Sequence, residues 1–228
     1  MNVAPVEDEP MTAQHPLMRE IRNATIESFL RSFAFSVLLS LSCAILAAPH
    51  AWALLKGFDT FELLHLAYNL TVAFFFLIRT RPSIVSMNLL HWAVALLTSL
   101  SGFFFVRGDA NPRAALLLSG DTLIGVSVLF SLMAAMVLGR SFDIFPALRG
   151  VKTRYVYQVV RHPIYLAAIV LRLGYVLKNP SIYNAVLLIL VAVLYDKRAR
   201  YEEELMSQDR SYRDYLRQVK YRFVPGVY

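Results

Sequence analysis

Two short groups of residues in the last third of the chain have types and spacings that could carry chemistry. The first is the segment VRHPIY, residues 160–165, which closes a basic connector and opens an apolar stretch. Pro163 suits the first turn of a helix, where its missing N–H costs nothing. Arg161 and His162 then stand at the positively polarised end of that helix, and Tyr165 follows His162 on the same face. Such a helix start could bind a carboxylate and a flat heterocycle, or it could anchor the protein at a membrane surface.

The second group is a pair of adjacent acids, Glu202 and Glu203, which follows the last apolar stretch. Arg198 precedes Glu202 by four residues, so the two side chains are neighbours on one helix face. An acid pair at the point where a helix leaves lipid could hold an ammonium or sulfonium group. A solvated helix with an internal salt bridge is the alternative interpretation.

The composition shows what kind of fold must position these groups. The chain has 228 residues, of which 57% are hydrophobic and 17% charged, and its mean hydropathy is +0.50. Soluble domains carry about 25% charged residues. The apolar residues occur in blocks of a length that suits a hydrocarbon layer roughly 30 Å thick. The sequence therefore predicts an all-α, polytopic membrane protein.

About six membrane helices are expected. The first block stops at Pro49, the last two blocks are short and form a helical hairpin, and the tail from Asp196 continues as a cytoplasmic helix. The predicted blocks are residues 28–48, 59–78, 84–106, 114–138, 163–177 and 181–195.

The basic residues indicate how these helices are oriented. With six crossings, 18 of the 23 Lys and Arg residues fall on one side of the membrane and four on the other. Because positive charge favours the cytoplasmic side, both termini and the 139–161 connector are predicted to be cytoplasmic, where the connector and the tail can meet. The same distribution accounts for the net charge of +7 without a nucleic-acid partner. Residues 1–27 lack the pattern of a signal peptide, and a bacterial inner membrane is the expected location.

Other polar residues within the blocks are weaker candidates. Glu62, His65 and Asn69 share one helix face, where hydrogen bonds between helices are the simplest interpretation. Arg172 is expected to pair with an acid or with carbonyl oxygens, a substrate contact being the alternative. Five histidines without a close helical pair, and the single Cys43, predict no metal site and no disulfide.

The motifs of the C-terminal part, taken together, resemble those of the membrane methyltransferases typified by isoprenylcysteine carboxyl methyltransferase, with phospholipid N-methyltransferases as relatives. The resemblance covers residues 139–228. It rests on GRSFDIFPALRG (139–150), VRHPIY (160–165), Gly174, Arg198, YEEELM (201–206), YRDY (212–215) and VKYRFVPGVY (219–228).

This resemblance implies an integral membrane enzyme that transfers a methyl group from S-adenosylmethionine to a lipophilic acceptor entering from the bilayer, with a carboxyl or amine group as the site of methylation. It divides the chain into a cytoplasmic segment (1–27), four helices on the acceptor side (28–138) and a cofactor-binding part (139–228). Arg198 and Glu202 would be catalytic. The residues that would bind the cofactor are Tyr157, Arg161, His162, Tyr165, Glu202 and Glu203.

One departure from the family pattern keeps two alternatives open. The Gly-Pro-Tyr turn that usually precedes the RHP motif is replaced by Tyr155-Val156-Tyr157, which could reshape the cofactor loop. The alternatives are an NADPH-dependent membrane reductase of the sterol-reductase type and a membrane scaffold without catalytic activity.

Overall fold

The computed structural model describes residues 24–107 and 112–227, which are mostly helical. Residues 24–30 are helical, and short 3-10 turns occupy Ser101–Phe104, Gly139–Ser141 and Tyr155–Gln158. The helices are α1 (Phe33–Lys56), α2 (Thr60–Ile78), α3 (Leu89–Leu100), α4 (Ala114–Leu138), α5 (Pro163–Lys178), α6 (Ile182–Met206) and α7 (Arg210–Gln218). Two-residue strands β1 (Ile84–Val85) and β2 (Ala147–Leu148) pair antiparallel. The prediction of an all-α fold is confirmed.

Three helices of the described part are long and apolar enough to cross a membrane. They are α1, α2 and α4, the last counted with the 3-10 turn that follows it, whereas α3 with its own 3-10 turn is shorter. The protein is therefore an integral membrane protein, and six crossings remain a prediction.

Most predicted segments agree with the helices, and two differ for clear reasons. The fourth block is confirmed residue for residue as α4. The first block was expected to stop at Pro49, but α1 continues through this proline to Lys56. Transmembrane helices tolerate proline where neighbouring groups satisfy the backbone carbonyl that it leaves free. The third block was expected from Ile84, but its helix begins only after Asn88. The Asn88 side chain caps it by accepting from the N–H of Leu90 at 2.9 Å.

α5, which begins with the VRHPIY motif, is held by an unusually close crossing with α4. Gly174 of α5 faces Gly120 of α4, and a Cβ atom on either would lie 2.7 Å from the carbonyl oxygen of the other. Only glycine permits this approach of the two backbones. The crossing therefore fixes the position of α5, whose first turn carries the candidate site.

Buried ion pairs fix the connector between α4 and α5. Asp143 lies between two arginines, with Arg79 Nη1 3.0 Å and Arg149 Nη2 2.5 Å from its Oδ2. Arg79 also donates from Nη2 to the carbonyl oxygen of Leu30 at 2.7 Å. The end of α2 and the residues before α1 thus hold the connector in place.

Arg172 bonds to oxygen atoms within the helix bundle. It donates from Nη1 to the carbonyl oxygen of Ala168 at 2.8 Å and from Nε to the hydroxyl of Ser101 at 2.9 Å. The expectation that Arg172 pairs with carbonyl oxygens is confirmed.

Candidate functional site

The start of α5 and the acid pair of α6 lie against each other. His162 Nε2 is 3.0 Å from Glu203 Oε1, and the Tyr165 hydroxyl donates to Glu202 Oε1. The two groups that the sequence singled out therefore form a single site, although they are about 40 residues apart in the chain.

The first turn of α5 presents an aromatic face. Pro163 occupies the first helical position, and the N–H groups of Tyr165 and Leu166 both donate to the His162 carbonyl oxygen at 3.1 Å. This turn brings the His162 and Tyr165 rings together, with centroids 5.3 Å apart and planes within 9° of parallel. The predicted spacing thus creates a flat, stacked surface at the entrance of the helix.

Glu203 is surrounded by cationic groups. Arg222 donates to both of its oxygens, from Nε at 3.0 Å and from Nη2 at 2.9 Å, and Arg161 Nη1 lies 3.2 Å from Oε2. Burial alone would raise the pKa of the Glu203 carboxyl, but the hydrogen bonds from His162 and Arg222, with the nearby charges of His162 and Arg161, lower this pKa to about 2. Glu203 is thus an ionised, fully bonded carboxylate that orients the His162 ring.

The C-terminal segment 219–223, which we call the strap, closes this side of the site. The backbone N–H of Arg161 donates to the Tyr221 carbonyl oxygen and that of His162 to the Arg222 carbonyl oxygen, each at 3.0 Å. The Arg222 side chain also reaches Asp196 of α6 at 3.0 Å. The sequence contained Arg222 within the tail motif, but nothing in its spacing indicated that it would pair with Glu203.

Glu202 has fewer partners than Glu203. Apart from the bond from Tyr165, its nearest cations are Arg198 Nε at 3.4 Å and His162 Nδ1 at 3.9 Å. Its side chain is 18% exposed. Of the two acids, Glu202 is therefore the one that can respond to a bound molecule.

Arg198 is buried and uses its donors to hold the site together. It donates to Thr98 Oγ1 of α3 at 2.9 Å and to the Ile144 carbonyl oxygen of the connector at 2.5 Å. Its guanidinium carbon also lies 4.9 Å from the centroid of the Tyr165 ring. Arg198 thus positions Tyr165 and Glu202 relative to α3, and its catalytic role stays a prediction.

The turn before the motif places a non-glycine residue in a backbone conformation that favours glycine. Tyr155, which stands where the family pattern has Gly, adopts a φ of 55°, a left-handed conformation that costs a non-glycine residue about 1–2 kcal/mol. Tyr157 follows in the same 3-10 turn and is buried, and its carbonyl oxygen accepts from the Tyr215 hydroxyl at 2.7 Å. The departure in sequence has therefore not removed the turn.

These side chains line one end of a large cavity. Its volume is about 630 Å³, within the range that encloses small-molecule ligands. Glu203 does not line the cavity and contacts the His162 ring instead. The predicted site residues that line the cavity are Tyr157, Arg161, His162, Tyr165, Arg198 and Glu202.

Comparison with known families agrees with the geometry. Residues 114–213 match the family model of the phospholipid methyltransferases. The match spans α4 to α6 and every predicted site residue, so the resemblance to membrane methyltransferases is confirmed over this part of the chain. It leaves out the first three helices and Arg222. A search of curated proteins found no match. The phospholipid methyltransferase match supports an enzyme that transfers methyl groups at a membrane.

Proposed function

We propose that the protein is an S-adenosylmethionine-dependent methyltransferase that methylates a lipophilic acceptor reaching the site from the bilayer. The observation that carries the proposal is the meeting of His162 and Tyr165 with Glu202 at one end of a single cavity. All three residues lie within the part of the chain that matches the phospholipid methyltransferases.

The residues at this end of the cavity fit the proposed cofactor. The Nε atom of Arg161 is buried and has no hydrogen-bond partner among the described residues, so it is free to donate to a carboxylate. The stacked His162 and Tyr165 rings suit a flat heterocycle or a cation over an aromatic face. Glu202 adds a negative charge that favours a sulfonium. When bound, S-adenosylmethionine supplies an electrophilic methyl group.

The contribution of the chain is alignment and control of a proton. Methyl transfer needs the acceptor in line with the methyl carbon, and a site built on packed helices provides this positioning. An amine acceptor must lose a proton, and Glu202 Oε2 is the oxygen that the Tyr165 hydroxyl leaves available to accept it. A carboxyl acceptor needs no base.

We favour the amine because of the charge at the site. The Glu202 carboxylate faces the cavity, where it attracts an ammonium and repels a carboxylate. Lys152 also lines this end and suits an anionic group beside the amine. A lipid that carries an anionic group beside an amine combines both features.

Binding of tritiated S-adenosylmethionine to the detergent-purified protein tests the cofactor. We expect saturable binding that becomes about tenfold weaker in Glu202→Gln and in His162→Ala, the effect of losing one hydrogen bond to a charged group. The matched control is Glu204→Gln, which changes an exposed acid two residues away. Wild-type affinity in both site variants would refute the assignment.

The same preparation separates the alternatives. Saturable NADPH binding without S-adenosylmethionine binding would indicate a reductase, and binding of neither would indicate a scaffold. When a lipid extract is incubated with the labelled cofactor, alkali-stable label in an amine-bearing lipid supports the amine. Label that alkali releases as volatile methanol indicates a methyl ester, whereas an N-methyl group stays in a non-volatile product.

A further inference from the structure

The cavity extends far beyond the cofactor end. On α2 it is lined by both His65 and Phe76, which are about 16 Å apart at 1.5 Å per helical residue. Phe76 packs in the same hydrophobic cluster as Ile164, which follows His162 by two residues. On α5 the lining runs from His162 to Arg172, about 15 Å by the same rise. His65 therefore lies at the opposite end of the cavity from Glu202.

A second polar cluster, formed by His50, Glu62, His65 and Asn69, stands at this far end. His50 Nδ1 lies 2.7 Å from Glu62 Oε2, and the His50 and His65 rings stack with centroids 5.1 Å apart. His50, His65 and Asn69 all line the cavity. Polar groups on the spanning helices of a membrane protein are costly unless they have partners or a function.

The hydrogen bonds of the cluster leave three acceptor atoms available. His65 Nδ1 is 2.8 Å from the Phe61 carbonyl oxygen; this oxygen can only accept, so Nδ1 carries a proton, and in the Nδ1–H tautomer Nε2 is an acceptor. The same reasoning applies to His50, whose Nδ1 faces a carboxylate. Asn69 donates from Nδ2 to the His65 carbonyl oxygen at 2.9 Å, which leaves its Oδ1 as an acceptor.

Each of these three atoms can accept a hydrogen bond from a bound molecule. No described residue donates to His50 Nε2, His65 Nε2 or Asn69 Oδ1. The described residues contain no group of three or more ligating side chains suited to a metal ion. Glu62, the acid of the cluster, is already paired with His50, which favours an uncharged hydroxyl over a full cation.

We propose that the far-end cluster binds a hydroxyl group at the end of the acceptor remote from the methylated group. This inference rests on the proposed function, because it identifies the acceptor as an elongated apolar molecule with a polar group at each end. Glu202 and the far-end cluster would then recognise the two ends, while the apolar wall between them accommodates the chain. A molecule without the distal hydroxyl leaves the acceptor atoms without a donor, so it binds less tightly.

A matched pair of probes tests this inference directly. Tritiated hexadecylamine and its ω-hydroxy derivative differ only in the distal hydroxyl. We expect the wild-type protein to bind the hydroxylated probe about fivefold more tightly, the effect of one or two neutral hydrogen bonds. The ratio should fall to near one in His65→Leu and in Asn69→Leu. It should stay at the wild-type value in His91→Leu, a histidine outside the cavity lining that stacks on Tyr201.

Equal binding of the two probes by the wild-type protein would overturn the inference, and so would a failure of the wild-type protein to bind either probe. A wild-type preference that persists in both far-end variants would also overturn it. S-adenosylmethionine binding is measured in the same preparations. A hydroxyl preference that is lost in His65→Leu supports the second site even if the cofactor does not bind, in which case only the methyltransferase proposal is refuted.

Discussion

The ion pairs around Glu203 make a quantitative prediction about stability and pH. In the folded protein the pKa of Glu203 is lowered from 4.5 to about 2. Each tenfold change in proton affinity is worth about 1.4 kcal/mol, so the ionised carboxylate stabilises the fold by about 3 kcal/mol. Because the folded pKa is lowered, this contribution is fully present above pH 4.5 and is lost as the pH falls toward 2.

We therefore expect Glu203→Gln to be about 3 kcal/mol less stable than the wild type at pH 7, which for a chain of this size lowers the unfolding midpoint by roughly 6–12 °C. Thermal unfolding in detergent, followed by circular dichroism, measures the difference. The gap should narrow steadily below pH 4.5. Glu204→Gln, which alters an exposed neighbour, should match the wild type throughout. A gap that is absent at pH 7, or that does not depend on pH, would refute the reasoning.

Three further predictions concern the elements that position the site. Gly174→Val should destabilise the protein by at least about 2 kcal/mol, since its Cβ would lie 2.7 Å from a carbonyl oxygen of α4. The control Gly102→Ala, whose added Cβ meets nothing within 4 Å, should leave stability unchanged. Equal unfolding midpoints for the two variants would contradict the close crossing. Tyr155→Gly should raise stability by about 1 kcal/mol by relieving the left-handed backbone, and a similar gain in Tyr155→Ala would point to the side chain instead. Arg79→Met should cost about 3–5 kcal/mol by breaking a buried ion pair, whereas Arg81→Met at an exposed position should cost almost nothing; unfolding midpoints check both.

The apolar blocks predicted most of the helices because a membrane imposes a length and a composition on each span. α4 covers the same residues as its predicted block, and α5 begins at the expected proline. Local capping and pairing decided the rest. Asn88 delays the start of α3, and the two residues of β1 pair with the connector, which hydrophobicity alone does not reveal.

The candidate site could be predicted only as far as its local spacing allowed. His162 and Tyr165 lie on one helix face, so their stacking follows from the sequence. The pairing of Arg222 with Glu203 depends on how the strap returns to the bundle, and no periodicity specifies that path. The bonds from Arg198 to α3 depend on tertiary packing in the same way. The resemblance implied cofactor binding by both acids and a catalytic role for Glu202, but only the fold shows that Glu203 is fully bonded and lies outside the cavity lining.

Transfer of labelled methyl groups from S-adenosylmethionine to lipid by the purified protein tests the central claim most directly. We predict that label accumulates in the lipid fraction with the wild-type protein and falls by about 100-fold in Glu202→Gln, the usual effect of losing a general base. Glu204→Gln should retain the wild-type rate. A lipid fraction that gains no label, or one that Glu202→Gln labels as fast as the wild type, would contradict the claim.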